Sequence, residues 1–235
     1  MRATDIQTVR ALPLFAGIGE AQFNALMDAA LLQRFPAQVQ LIREGEEADF
    51  LHVVVEGLVE MFASSDGEET TIGFLAPVST FILAAVLVEK VYLQSARTLT
   101  PSRLLMIPAG AVRKVFAGDT AFAGAVVNEL AERYRDIVRQ LRTQKMRTGI
   151  ERLAAWLVAH GEATPDGLVV RIAFEKVKLA SFLGMTRETL SRSFAALAEH
   201  GVSVSGRTIR CADADALVRL ARPDPLLDDH GLPAA

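Results

Sequence analysis

Residues 184–197 read GMTRETLSRSFAAL. A Gly-Met-Thr turn is followed at once by Arg187, Glu188, Ser191 and Arg192, while Leu190, Phe194 and Leu197 recur on another face. The spacing predicts a helix over Arg187–His200 with its apolar face turned inward and its polar, cationic residues gathered at the N-terminal end. Thr186 is placed to cap that helix, and Glu188 lies in the first turn, where a negative charge suits the helix dipole. A second helical pattern over Lys176–Leu183 precedes it, with Gly184 between the two and the small Ala180 positioned for a close crossing. Two helices joined this way predict a helix-turn-helix whose second helix offers its first turns to base edges.

The side chains suit that task. Arg187 or Arg192 can donate two hydrogen bonds to guanine, Glu188 can accept one from cytosine, and Ser191 adapts to either. Thr186 and Thr189 complete the candidate contact set on this helix. Downstream, Val202–Cys211 reads as a two-stranded wing with Ser205-Gly206-Arg207 at its turn, which puts Arg207 within reach of phosphate. Double-stranded DNA is the expected partner.

Charge distribution agrees with this reading. The chain has 235 residues and a net charge of −3, but from Arg139 to Arg210 it holds twelve Lys/Arg against six Asp/Glu. The remainder holds thirteen against twenty-two, so a basic segment sits on an acidic body, as expected of a chain that meets a polyanion at one end.

Working back from the basic segment, Ala123, Val127, Leu130, Tyr134, Ile137 and Leu141 recur at alternating intervals of four and three. That is a coiled-coil seam on a helix over about Thr120 to Gln144, a rod of roughly 37 Å. A homodimer joined along this seam is the expectation. Upstream, residues 33–77 alternate short β-prone runs with turns at Gly45, Gly57 and Asp66-Gly67, and Ser95–Ile107 adds a further strand region, as in an antiparallel roll or sandwich. Glu20–Leu32 reads as a helical lead-in, Ala109–Phe116 as a short helix, and GEATPDG (161–167) as a loop before a helix-turn-helix-hairpin run.

The resulting fold class is α+β: an N-terminal antiparallel β domain, a long dimerisation helix and a C-terminal winged helix-turn-helix. Expected boundaries are 1–118 for the sensor, 119–146 for the helix and 147–223 for the DNA-binding domain. The proline-rich acidic tail, 224–235, is expected to be poorly ordered.

Cys211 is the single cysteine, so an internal disulfide, a cysteine-held cluster and the usual structural zinc are all excluded. His52, His160, His200 and His230 lack ligand-like spacing, and GxxxxGK[ST], HExxH and GxSxG are absent, so no enzyme activity and no metal site are expected. The longest apolar run, FILAAVLV (81–88), is far short of the ~20 residues that span a bilayer. The start, MRATDIQTVR, has no signal-peptide stretch, and the expected location is cytoplasmic.

The sequence resembles the CRP/FNR family of bacterial transcription regulators over nearly its whole length. GEEADFLHVVVEGLVEMF (45–62) looks like that family's β-roll signature, the heptad helix like its dimer helix, and TRETLSR (186–192) like its recognition helix. The resemblance implies an N-terminal antiparallel β-roll of the cyclic-nucleotide-binding-like kind, a dimer on a palindromic site with half-sites ~34 Å apart, and contact with RNA polymerase. Glu188, Ser191 and Arg192 match the Glu-x-x-Ser-Arg pattern of the FNR branch, which implies a TTGAT-like half-site. Arg187 matches the Arg-Glu pair of the cyclic-AMP branch, and Ser193 stands where the family usually has an aliphatic residue.

The sensor half departs from the family pattern. Setting Ser95-Ala96 against the family's Ser-Ala places Leu83-Ala84 at its ribose-binding Gly-Glu and Gln94 at its phosphate-binding Arg. No response to cyclic AMP is therefore expected, since a buried nucleotide would find neither carboxylate nor cation there. Arg97 comes three positions late and should face the other way. Two readings of the effector remain: none at all, or an apolar ligand such as haem in a pocket formed by Phe81, Leu83, Ala84, Gln94 and Ser95, with His52 a candidate axial ligand. The alternative from another class is a small-molecule receptor whose C-terminal helices contact protein instead of DNA.

Overall fold

Five consecutive buried residues, Leu51–Val55, run through the strand on which the first half of the chain is assembled. In the computed structural model, which describes residues 3–228, the chain opens with α1 (Ala3–Arg10), α2 (Pro13–Ala16) and α3 (Glu20–Ala29). Six strands follow: β1 (Leu31–Phe35), β2 (Gln40–Ile42), β3 (Phe50–Glu56), β4 (Val59–Ser65), β5 (Glu68–Leu75) and β6 (Ser79–Phe81). Then come α4 (Leu83–Val88), β7 (Ser95–Thr98), β8 (Ser102–Pro108), α5 (Ala109–Gly118) and the long α6 (Thr120–Met146). The strands form two antiparallel sheets, ordered β1-β8-β3-β6 and β2-β7-β4-β5.

β3 is covered on both faces, so it reads as a continuous apolar run instead of an alternation. Leu51, Val53 and Val55 pack with Leu105, Ile107 and a helical layer that includes Phe15, Phe23, Leu26 and Val112. Val54 points the other way, into a second cluster with Ile42, Val59, Met61, Phe81 and Leu104. The hairpin between β4 and β5 has the two-residue loop Asp66-Gly67, both with positive φ (54° and 82°), as its tight reversal requires.

The molecule falls into two compact units, one reaching Tyr134 and one beginning at Arg135. The division falls within α6, which begins in the first unit and ends in the second. Phe122 and Val126, near its start, are buried in the first unit's core.

The second unit contains α7 (Gly149–His160), β9 (Glu162–Thr164), β10 (Gly167–Arg171), α8 (Lys176–Phe182) and α9 (Arg187–Ala198). β11 (Val202–Ser205), β12 (Thr208–Cys211), α10 (Ala214–Ala221) and α11 (Pro225–Asp228) complete it. α7 starts with a capping box: the Thr148 hydroxyl accepts from the Glu151 amide at 3.4 Å, and the Glu151 carboxylate accepts from the Thr148 amide at 2.7 Å. α7 packs against α9 and α10.

Four local expectations change. The lead-in helix ends at Ala29, because Leu31 and Leu32 pair with Met106 and Leu105 as part of β1. GEATPDG and the residues after it form the β9–β10 hairpin, so the wing belongs to a four-stranded sheet ordered β11-β12-β10-β9. FILAAVLV is split: Phe81 ends β6, Ile82 takes a left-handed conformation (φ 69°), and Leu83–Val88 is helical. The tail expected to be loose contains α11, with Leu227 buried and Asp228 paired to Arg147; residues 229–235 lie outside the described residues.

His52 is buried on β3, stacked on Phe81 with ring centroids 4.9 Å apart, and its Nδ1 has no hydrogen-bond partner. Burial pushes its pKa from 6.5 down to about 4, with the Phe50 carbonyl pulling weakly the other way. The unfolded chain therefore binds more protons between those values, and stability is lost as pH falls from about 6.5 toward about 4. Between pH 7 and pH 5 this group alone should cost the first unit about 2 kcal/mol. Urea denaturation at the two pH values should show that loss in the wild type and its removal in His52→Leu; equal pH dependence in both proteins would contradict the assignment.

Candidate nucleic-acid interface

α8 ends in a Schellman motif. The Met185 amide donates to the Ala180 carbonyl at 3.0 Å and the Gly184 amide to the Ser181 carbonyl at 2.9 Å. Gly184 takes the left-handed conformation this requires, with φ +63°. The chain then leaves in an extended conformation at Thr186, whose hydroxyl oxygen accepts from the Thr189 amide at 3.2 Å and caps α9.

One face of α9 is buried through Leu190, Ser193 and Leu197, and Phe194 is half-buried. Ser193, the departure from the aliphatic pattern, returns its hydroxyl to the Thr189 carbonyl at 2.9 Å, so the buried oxygen is satisfied within the helix. Burying that face leaves Arg187, Glu188, Ser191 and Arg192 exposed near the N-terminal end. Thr186 is also exposed, and Thr189 is half-buried beside them. Arg192 Nη2 donates to the Thr189 hydroxyl at 3.3 Å, which restrains the guanidinium along the helix. Glu188, fully exposed, is held below the usual carboxylate range by its own amide first and then by the Thr186 hydroxyl. It therefore stays an acceptor near neutral pH.

Arg207 sits exposed at the β11–β12 turn, and its Nη1 reaches the Ala173 carbonyl at 3.5 Å. Two further cations of this unit lay outside the sequence expectation: Arg210, exposed on β12, and Lys176, half-buried at the start of α8. Arg210 was legible as the polar position in TIRC, whose alternate members are covered.

In the first unit, the candidate effector residues do not converge. Phe81 and Leu83 are buried in different core clusters, Ala84 is exposed, Gln94 is half-buried and Ser95 is buried. Of these only Ser95 borders the cavity of about 460 Å³ on the β2-β7-β4-β5 sheet, alongside Gln40, Arg43, Glu44, Phe62, Glu69 and Arg97. Arg97 also lines that cavity, and each of its three nitrogens has a carboxylate partner. Its Nε donates to Glu60 at 2.7 Å, its Nη2 and Nη1 to Glu69 at 2.6 and 3.2 Å, and it lies 4.1 Å over the Phe62 ring. Glu60 is 1% exposed and also accepts from Thr71 at 2.7 Å.

His52 does not fit a haem. Its orphaned Nδ1 is the atom an axial ligand would offer, but the ring is packed against Phe81 between the sheets and does not border the 460 Å³ cavity. Among the described residues no group of three or more His, Cys, Asp or Glu could hold a metal ion, and no helix is long and apolar enough to cross a membrane.

Comparison with known proteins bears on both units. The cyclic nucleotide-binding domain model matches residues 32–119, and the Crp-like helix-turn-helix domain model matches residues 151–220. The chain is 24% identical over 215 residues to the CRP-like cAMP-activated global transcriptional regulator of Mycobacterium tuberculosis, covering 89% of this chain and 96% of that one. A solved structure from Ruegeria pomeroyi, described as a cyclic nucleotide binding protein, is 26% identical with a TM-score of 0.65, covering 95% of this chain and all of that one. FixK2 from Bradyrhizobium japonicum shares the fold at 20% identity, with a TM-score of 0.71 over 81% of this chain and 96% of its own.

The turn before α9 supplies a test. A Cβ at position 184 would be strained by the left-handed backbone and would meet the Gln144 amide oxygen at 2.6 Å. Gly184→Ala should lower the stability of the second unit by about 1–2 kcal/mol, and Gly184→Asn by less, because Asn tolerates this conformation better. Thermal unfolding of both variants checks the order.

Proposed function

We propose, for a chain that belongs to the CRP/FNR family of transcription regulators, that it reads a palindromic TTGAT-like site as a homodimer and does so without responding to cyclic AMP. The observation that carries this reading is the capped N-terminus of α9, with Arg187, Glu188, Ser191 and Arg192 exposed and the opposite face buried. Arg192 and Arg187 would donate to guanine edges, Glu188 would accept from cytosine, and Arg207 would hold phosphate. The alternative of a protein-contacting receptor lacks a comparable motif: a capped helix with an Arg/Glu/Ser tip beside a basic wing suits duplex DNA.

Dimerisation is supported by what α6 leaves in water. Val127, Tyr134, Ile137 and Leu141 are 60%, 69%, 62% and 56% exposed in the single chain, while Ala123 and Leu130 are half-buried. An apolar stripe of that length at heptad spacing suits burial against its own symmetry mate. Contact with RNA polymerase and a cytoplasmic site of action follow from the same family reading.

Independence from cyclic AMP is supported by the state of Arg97. Drawing its guanidinium onto a phosphate would leave Glu60 buried without its cation, a loss that a new ion pair would have to offset. Gln94 occupies the position at which the family places its phosphate-binding Arg. Phe81 and Leu83 lie in different core clusters and Ala84 is exposed, which supports the reading without a small-molecule effector.

Gel shifts on a TTGAT-containing palindrome test the DNA assignment. Arg192→Ala and Glu188→Ala should each lose roughly 5- to 150-fold in discrimination against the wrong base, corresponding to ~1–3 kcal/mol. Arg207→Ala should weaken all sequences alike and reduce the salt slope by about 1. Cyclic AMP should leave every shift unchanged; a cyclic-AMP-dependent gain in affinity would refute that part. For the dimer, Tyr134→Glu combined with Ile137→Glu should yield monomers in sedimentation velocity, and a persistent dimer would count against the α6 seam.

A further inference from the structure

We infer that Asp228, in the C-terminal segment, is a positioning residue for DNA reading that acts through Arg147 and Arg152 on the turn preceding α9. This rests on the reading of α9 as the recognition helix. The contacts form one continuous series within the second unit. The Arg147 side chain, 5% exposed, donates through Nη1 and Nη2 to the two oxygens of Asp228 at 2.8 and 2.5 Å, and through Nη2 to the Arg222 carbonyl at 3.0 Å. Arg147 is also the residue between the end of α6 and Thr148, the cap of α7.

The Arg147 carbonyl in turn accepts from Arg152 Nη1 at 2.7 Å. Arg152 spends its remaining donors on the turn itself: Nε on the Leu183 carbonyl at 2.8 Å and Nη2 on the Gly184 carbonyl at 3.2 Å. These carbonyls belong to two helix ends, where acceptors lack intrahelical partners and a cation is favoured. Arg152 therefore fixes the C-terminus of α6 and the exit of α8 to one rigid group. Asp228 holds the residue that supplies the first of those carbonyls, and its own carboxylate is fixed by the Asp224 amide at 2.7 Å.

None of the three side chains belongs to α9, so their replacement leaves Arg187, Glu188, Ser191 and Arg192 themselves in place. What changes is the pose from which Arg187, Glu188 and Arg192 are presented. Breaking a bidentate pair at a nearly buried guanidinium has effects large enough to be read in binding.

The test combines two measurements on the full chain with Asp228→Asn, Arg152→Lys and the double variant. In DNA titrations on the palindrome, each single change should weaken specific binding by about tenfold, and the double should weaken it by little more than either, because groups in one series are non-additive. The salt slope and the fraction of active protein should stay at wild-type values. Hydrogen exchange on the DNA-free protein should show faster exchange over residues 183–190 in Asp228→Asn, with the β11–β12 hairpin unchanged. Unaltered exchange over 183–190, additive losses near a hundredfold in the double variant, or a loss explained by a smaller active fraction would each overturn the inference. If the wild type binds no palindrome while Asp228→Asn still loosens 183–190, the coupling stands and the DNA reading falls.

Discussion

The left-handed backbone at Gly184 decides what this chain can show to the outside. With φ at +63° and two carbonyls of α8 satisfied by the amides of Gly184 and Met185, the chain leaves one helix and enters the next with little freedom. Thr186 then caps α9, and burial of Leu190, Ser193 and Leu197 fixes its rotation. Once those three are inside, Arg187, Glu188, Ser191 and Arg192 have to be outside. The polar tip is thus a geometric consequence of an apolar face and a turn, and its usefulness for base recognition follows from the side chains placed there.

The two units spend their charged residues differently. In the second unit Arg187, Arg192, Arg207 and Arg210 are exposed, with single hydrogen bonds from Arg192 to the Thr189 hydroxyl and from Arg207 to the Ala173 carbonyl. In the β-roll, by contrast, Arg97 is enclosed by Glu60, Glu69 and Phe62, and Arg103 is paired with Asp5 and Glu56. The roll's most prominent arginines hold the fold together.

Local patterns carried much of the fold. Heptad spacing located α6, Asp66-Gly67 located the β4–β5 reversal, and the Gly-Met-Thr turn located α8 and α9 within a residue or two. What escaped the sequence depended on partners distant along the chain. VVRI looks helical beside its neighbours and becomes β10 only because β12 pairs with it. Leu31 and Leu32 join a strand because Met106 and Leu105 wait across from them. Arg97 and Glu60 are 37 residues apart, so nothing near either one announced that each would satisfy the other. The same holds for Asp228 and Arg147, 81 residues apart, whose pairing turns an acidic tail into part of the packed unit.

The enclosed arginine has a consequence for what may enter the roll's cavity. Its lining carries Arg43 and Arg97 against Glu44 and Glu69, so the formal charges of the wall balance, with Glu60 buried behind Arg97. An anion placed there would have to compete with Glu60 and Glu69 for the Arg97 guanidinium, whereas a neutral guest would leave that cluster intact.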